Sequence, residues 1–107
     1  MLSKVSTVNA EFAMIKSQSA LLQAPMVILL VDDDPFFRSA IKRILQKEGF
    51  QVIEAGDGME GYTLVKEIGA SIGLLLTDVN MPGMDGIELV QLVTTLYANI
   101  ACTAHDG

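Results

Sequence analysis

Leu74-Leu75-Leu76-Thr77-Asp78-Val79-Asn80-Met81-Pro82-Gly83-Met84-Asp85-Gly86 is the stretch on which the fold turns. The apolar run is too short for a buried helix, and Pro82, Gly83 and Gly86 turn the chain straight after it, so it reads as a buried strand. That strand carries one carboxylate, Asp78, to its carboxyl end. In open α/β sheets this is where ligands sit.

A second stretch repeats the arrangement. Met26-Val27-Ile28-Leu29-Leu30-Val31 is another apolar run, and it ends in Asp32-Asp33-Asp34. If the two strands lie parallel and adjacent, their carboxylates converge on one edge of the sheet. Such a cluster calls for a cation, and oxygen-only ligands favour a hard ion such as Mg²⁺ over zinc or copper.

The segments between these runs supply helices. Asp34-Pro35 opens one, with Asp34 as cap and Pro at the first helical position. Phe36, Phe37, Ala40, Ile41, Ile44 and Leu45 form its apolar face, and Gly49 ends it. Arg38, Lys42 and Arg43 are expected to face water. Gln51-Val52-Ile53-Glu54-Ala55 reads as a further strand, and Gly56-Asp57-Gly58 as a turn, with Asp57 a cap rather than a ligand. The following helix carries Met59, Tyr62, Val65 and Ile68 on one face. After the Asp78 strand, Ile87, Leu89, Val90, Val93 and Leu96 mark a third helix. This β-α-β-α-β-α alternation implies right-handed crossovers and a parallel sheet.

VILLVDDDP, followed by TDVNMPGMDG with Asp78 46 positions after Asp32, resembles the receiver domain of bacterial two-component response regulators. The resemblance runs from about Met26 to Ala104 and includes GFQVIEAGDG as second strand and turn. It implies a flavodoxin-like (CheY-like) α/β fold with strand order 2-1-3-4-5. It also implies phosphorelay signalling, in which Asp78 accepts a phosphoryl group from a sensor histidine kinase or phosphotransfer protein. Asp33 is expected to bind Mg²⁺ directly, Asp32 through water, and Asn80 through its backbone carbonyl. Thr103 is the expected switch hydroxyl, with Ala104 leaving room for the phosphoryl group. His105 falls where the family tunes water access, although a lone His near a terminus is more often exposed and inert.

Asn99-Ile100-Ala101-Cys102-Thr103-Ala104 resembles the family's fourth strand, arriving about three residues early. The sequence reaches Gly107 without a fifth strand, the last helices, or the lysine expected at the end of strand five. The expected architecture is therefore an incomplete receiver over residues 26–107, with three to four strands. Residues 1–25 form an extension in which Val5, Val8, Phe12, Ile15 and Leu22 have the spacing of an amphipathic stripe. That stripe reads either as a frayed extension, since isolated short helices are marginal in water, or as a surface for docking or for a homodimer.

Composition narrows the function classes. Seven basic residues against 13 acidic ones, net −6, form no basic cluster, so nucleic acid is not an expected direct partner. No apolar run approaches the ~18 residues that span a bilayer, and Cys102 stands alone, which excludes an internal disulfide and a CxxC motif. A cytoplasmic signalling module, not a turnover enzyme, is the expectation. Asp32 and Asp34 also match the DxD spacing of haloacid-dehalogenase-type phosphotransferases, but Pro35-Phe36 does not continue that motif. The alternative kept open is a receiver fragment, impaired in phosphorylation, that acts only by binding a protein.

Overall fold

The two apolar runs become the central strands of the sheet, and their lack of alternation has a direct cause. In the computed structural model, which describes residues 26–105, β1 (Val27–Val31) and β3 (Leu74–Asp78) lie side by side and parallel, between β2 (Gln51–Ala55) and β4 (Ala101–His105). The order is β2-β1-β3-β4, all parallel. Ile28, Leu30, Leu74 and Leu76 pack on one face, Leu29, Val31 and Leu75 on the other. Strands covered on both faces need apolar residues at every position. The stripe expected in residues 1–25 lies outside the described residues.

Helix α1 (Pro35–Lys47) covers the first face. Asp34 caps it, its Oδ1 accepting from the Phe36 and Phe37 amides at 3.1 and 3.2 Å. Only Phe37, Ile41 and Leu45 of the expected apolar face are buried, while Phe36 is 88% exposed and Ile44 lies at the surface. The reason is geometric: a helix lying on a sheet buries the single row i, i+4, i+8, and the flanking positions turn outward.

The end of α1 is set by Gly49. Its φ of +93° lets the Gly49 amide reach Gln46 O (3.0 Å) and the Phe50 amide reach Leu45 O (3.2 Å), while Phe50 and Leu45 join the same core. This is the Schellman arrangement, which satisfies carbonyls the helix leaves open. Gly49→Ala forces a side chain into the left-handed region and is expected to lower stability by about 1 kcal/mol. A urea melt with unchanged m value would show it. An unshifted midpoint would mean that the turn relaxes.

Helices α2 (Gly58–Ile68) and α3 (Gly86–Leu96) cover the opposite face, with Val65, Leu89 and Val93 buried in its core. Asp57 caps α2 as expected, accepting from the Glu60 amide at 2.8 Å, and Glu60 reaches back to the Gly56 amide at 3.0 Å. Met59, Ile87 and Leu96, assigned to apolar faces from the sequence, are exposed. The connection from α2 to β3 passes through a short 3-10 turn at Gly69–Ser71.

Candidate functional site

Each central strand ends by delivering acid to the same edge of the sheet. Val31 pairs with Thr77 in the β1–β3 ladder, so Asp32 and Asp78, one residue further along each strand, emerge side by side. Ligand oxygens of Asp32, Asp33 and Asp78 lie within 4.8 Å of one another. Asp32 is fully buried and Asp78 nearly so, whereas Asp33 is exposed and closes the cluster from the solvent side. At such separations two like charges repel by a few kcal/mol at an effective dielectric near ~20. The three carboxylates thus form a group that could hold a metal ion.

The oxygen-only donor set fits a hard ion. Octahedral coordination at ~2.1 Å places neighbouring oxygens about 3.0 Å apart and opposite ones about 4.2 Å apart. The three oxygens lie within 4.8 Å of one another, somewhat wider than that span, and Mg²⁺ ordinarily retains several waters and takes one or two carboxylates.

The surrounding backbone is tightly held. The Asp34 amide donates to Asp32 Oδ1 at 2.9 Å, the Asn80 amide to Asp78 Oδ1 at 3.3 Å, and the Val79 amide to His105 O at 2.8 Å. Helix α3 closes over the end of β3, with the Gly86 amide on Val79 O at 2.9 Å and Asp85 capping through the Glu88 amide at 2.8 Å. The Asp85 cap was not read from the sequence, although its position three residues before Glu88 is the usual capping spacing.

At β4 one reading is corrected, that of His105 as an exposed residue. The β3–β4 register pairs Leu76 with Thr103 and Asp78 with His105. Thr103 thus lies two residues short of the acceptor level, about 7 Å along the strand. His105 occupies the neighbouring position instead, and it is buried at 3% exposure rather than inert in solvent. Its ring lies 6.3 Å from that of Phe37. Ala104 pairs with Thr77. Cys102 is half-buried in the core between the sheet and α3, and that burial pushes its thiol pKa up, which suits a packing residue.

Arg38 and Lys42 do not form a solvated face. Arg38 Nε and Lys42 Nζ grip the two oxygens of Glu54 on β2 at 3.2 and 3.0 Å, and Arg38 Nη1 donates to the backbone carbonyl of Asp32 at 2.6 Å. The Lys42 hydrogen bond holds the Glu54 carboxyl below its ordinary range, outweighing partial desolvation, with Arg38 adding to it. A carboxyl lowered on folding stabilises the fold above its unfolded pKa and loses that contribution as pH falls through the folded value. Wild type should therefore lose stability below about pH 4.5 faster than Glu54→Gln does. At neutral pH each of these partly exposed ion pairs contributes about 0.2–1 kcal/mol. Parallel acid-stability curves for the two proteins would remove Glu54 from this role.

Comparison with known proteins agrees with this geometry. The family model of the response regulator receiver domain matches residues 28–107. The positive alginate biosynthesis regulatory protein of Pseudomonas aeruginosa is 38% identical over an alignment covering 76% of this chain and 34% of that protein. CpxR, a transcriptional regulatory protein of Escherichia coli K12, is 47% identical over 60% of this chain and 26% of its own length. The chain thus spans about a third or less of these curated relatives. A receiver domain protein from Clostridium thermocellum superposes with a TM-score of 0.74 at 27% identity, covering 77% of this chain and 65% of that one. A Borrelia burgdorferi structure of CheY with CheX, BeF3 and Mg²⁺ superposes with a TM-score of 0.73 at 30% identity, covering 77% and 62%. The parallel sheet in order β2-β1-β3-β4, the acidic edge and the matched family model lead to one conclusion: this chain belongs to the response regulator receiver domain family of two-component signalling.

Proposed function

We propose that the domain takes up a phosphoryl group on Asp78 from the phosphohistidine of a sensor kinase or phosphotransfer protein. The observation that carries this is the convergence of Asp78 with Asp32 and Asp33 at the ends of adjacent strands. Asp33 and Asp78 offer carboxylate oxygens to Mg²⁺, Asp32 supports the site from its buried position, and the Asn80 backbone carbonyl supplies a third protein ligand. When bound, Mg²⁺ neutralises charge on the transferring phosphoryl oxygens.

The remaining chemistry belongs to the chain. A carboxylate oxygen of Asp78 attacks phosphorus as the P–N bond to the donor imidazole breaks. The imidazole nitrogen leaves with the bonding electrons and takes up a proton, and Asp78 becomes an acyl phosphate. The Asn80 amide, already on Asp78 Oδ1, orients the nucleophile. Thr103, two residues short of Asp78 in the β3–β4 register, is the candidate to donate its hydroxyl to the phosphoryl group.

Incubation with a ³²P-labelled phosphohistidine donor, with and without Mg²⁺, tests the reading. Label is expected only with Mg²⁺, in a peptide containing Asp78. Label on Asp32 would favour the dehalogenase-type alternative, and donor binding without label would favour a module that acts only by docking.

A further inference from the structure

We infer that Arg38 is a positioning residue for the metal-facing carboxylates, acting through the peptide unit that joins Asp32 to Asp33; the inference rests on the Mg²⁺ reading above. The Asp32 carbonyl belongs to that peptide unit, and Arg38 Nη1 holds it at 2.6 Å. On the other side of the same residue, the Asp32 amide donates to Ala55 O at 3.2 Å. The strand end is therefore gripped both by β2 and by α1. Rotation of the Asp32–Asp33 peptide plane by about 20° would swing the Asp33 carboxylate by on the order of 1 Å, beyond the tolerance of an ordered site.

Arg38 is itself locked. Its Nε lies on Glu54 Oε1, Lys42 holds Glu54 Oε2, and the Arg38 side chain is only 20% exposed. A planar guanidinium can place Nε on the Glu54 carboxylate of β2 and Nη1 on the Asp32 carbonyl just past β1 at once, whereas the ammonium of a lysine is a single point and cannot span both. Partners of this kind, which orient ligands without touching the metal, commonly change metal affinity by about 10–100-fold when removed.

Charge and position predict opposite signs here. A guanidinium near a cation site repels the cation, so removing its charge alone would tighten Mg²⁺ binding. Glu54, shared with Lys42, offsets part of that repulsion at contact distance, and the lost anchor should win.

The test is Mg²⁺ titration of the whole chain by calorimetry, with thermal melts in chelator as the measure of folding. Arg38→Met and Arg38→Lys are both expected to weaken Mg²⁺ binding about 10-fold while keeping a cooperative melt. Glu54→Gln should weaken it less, and the Arg38→Met/Glu54→Gln double variant no more than Arg38→Met alone. Unchanged or tighter binding in Arg38→Met, wild-type affinity in Arg38→Lys, or additive effects in the double variant would overturn the inference and leave the Mg²⁺ site standing. Should Arg38→Met fail to fold, Arg38→Lys decides by the same criterion. A wild type that binds no Mg²⁺ would overturn both the site and the inference.

Discussion

Asp78→Asn is expected to reduce phosphoryl uptake to background, a loss of more than about 1000-fold. The amide is nearly isosteric with the carboxylate but has no anionic oxygen to attack phosphorus. Its own Oδ1 can still accept from the Asn80 amide, which now sits at 3.3 Å from the carboxylate. Folding should survive, because the change also removes one of three mutually repelling charges at the strand ends. Melting in chelator should show a midpoint equal to or above wild type, while the stabilisation given by added Mg²⁺ should shrink, since a ligand of the folded state raises stability in proportion to ln(1 + [L]/Kd). Together the two readouts separate lost chemistry from lost structure. Full uptake by Asp78→Asn would move the acceptor to Asp32 or Asp33 and overturn the proposed reaction.

Gly86→Ala should produce the largest loss of stability among the single changes considered, about 2 kcal/mol. A methyl at this position would lie 2.9 Å from both Asp78 C and Val79 Cα and would collide with the Asp78 carbonyl oxygen. These are backbone atoms of the strand that carries the acceptor, so no side chain can swing aside. Relief requires lifting the first turn of α3, which stretches the Gly86 amide bond to Val79 O and loosens Leu89 and Val93, both fully buried. The preference of helices for alanine over glycine, at most ~1 kcal/mol, offsets part of this and leaves the change destabilising. For a domain of this size that corresponds to a fall in Tm of about 10 °C. Mg²⁺ affinity should fall as well, because the displaced atoms belong to Asp78. An unchanged melting temperature would overturn the tight contact between α3 and the strand end as a source of stability.

The sequence by itself determined the two central strands, their terminal carboxylates and the family. Each of these depends on short-range pattern: an apolar run of strand length, an acid at its end, a turn beyond it, and a second such unit at a set distance. The caps at Asp34 and Asp57 were legible for the same reason, since a cap acts within three residues of itself.

Tertiary structure decided what depends on contacts between distant segments. Whether Thr103 or His105 stands beside Asp78 is a matter of parallel register, set by how β4 packs against a strand more than 20 residues earlier. The partners of Arg38 lie on β2, 16 residues away, and just past the end of β1, so its spacing along α1 marks it only as a basic residue. Gly86 looks like an ordinary turn residue until the carbonyl of Asp78 is found against it. Local pattern specifies which groups a strand delivers to the sheet edge; the packing of helices and neighbouring strands specifies how firmly those groups are held and which others can reach them.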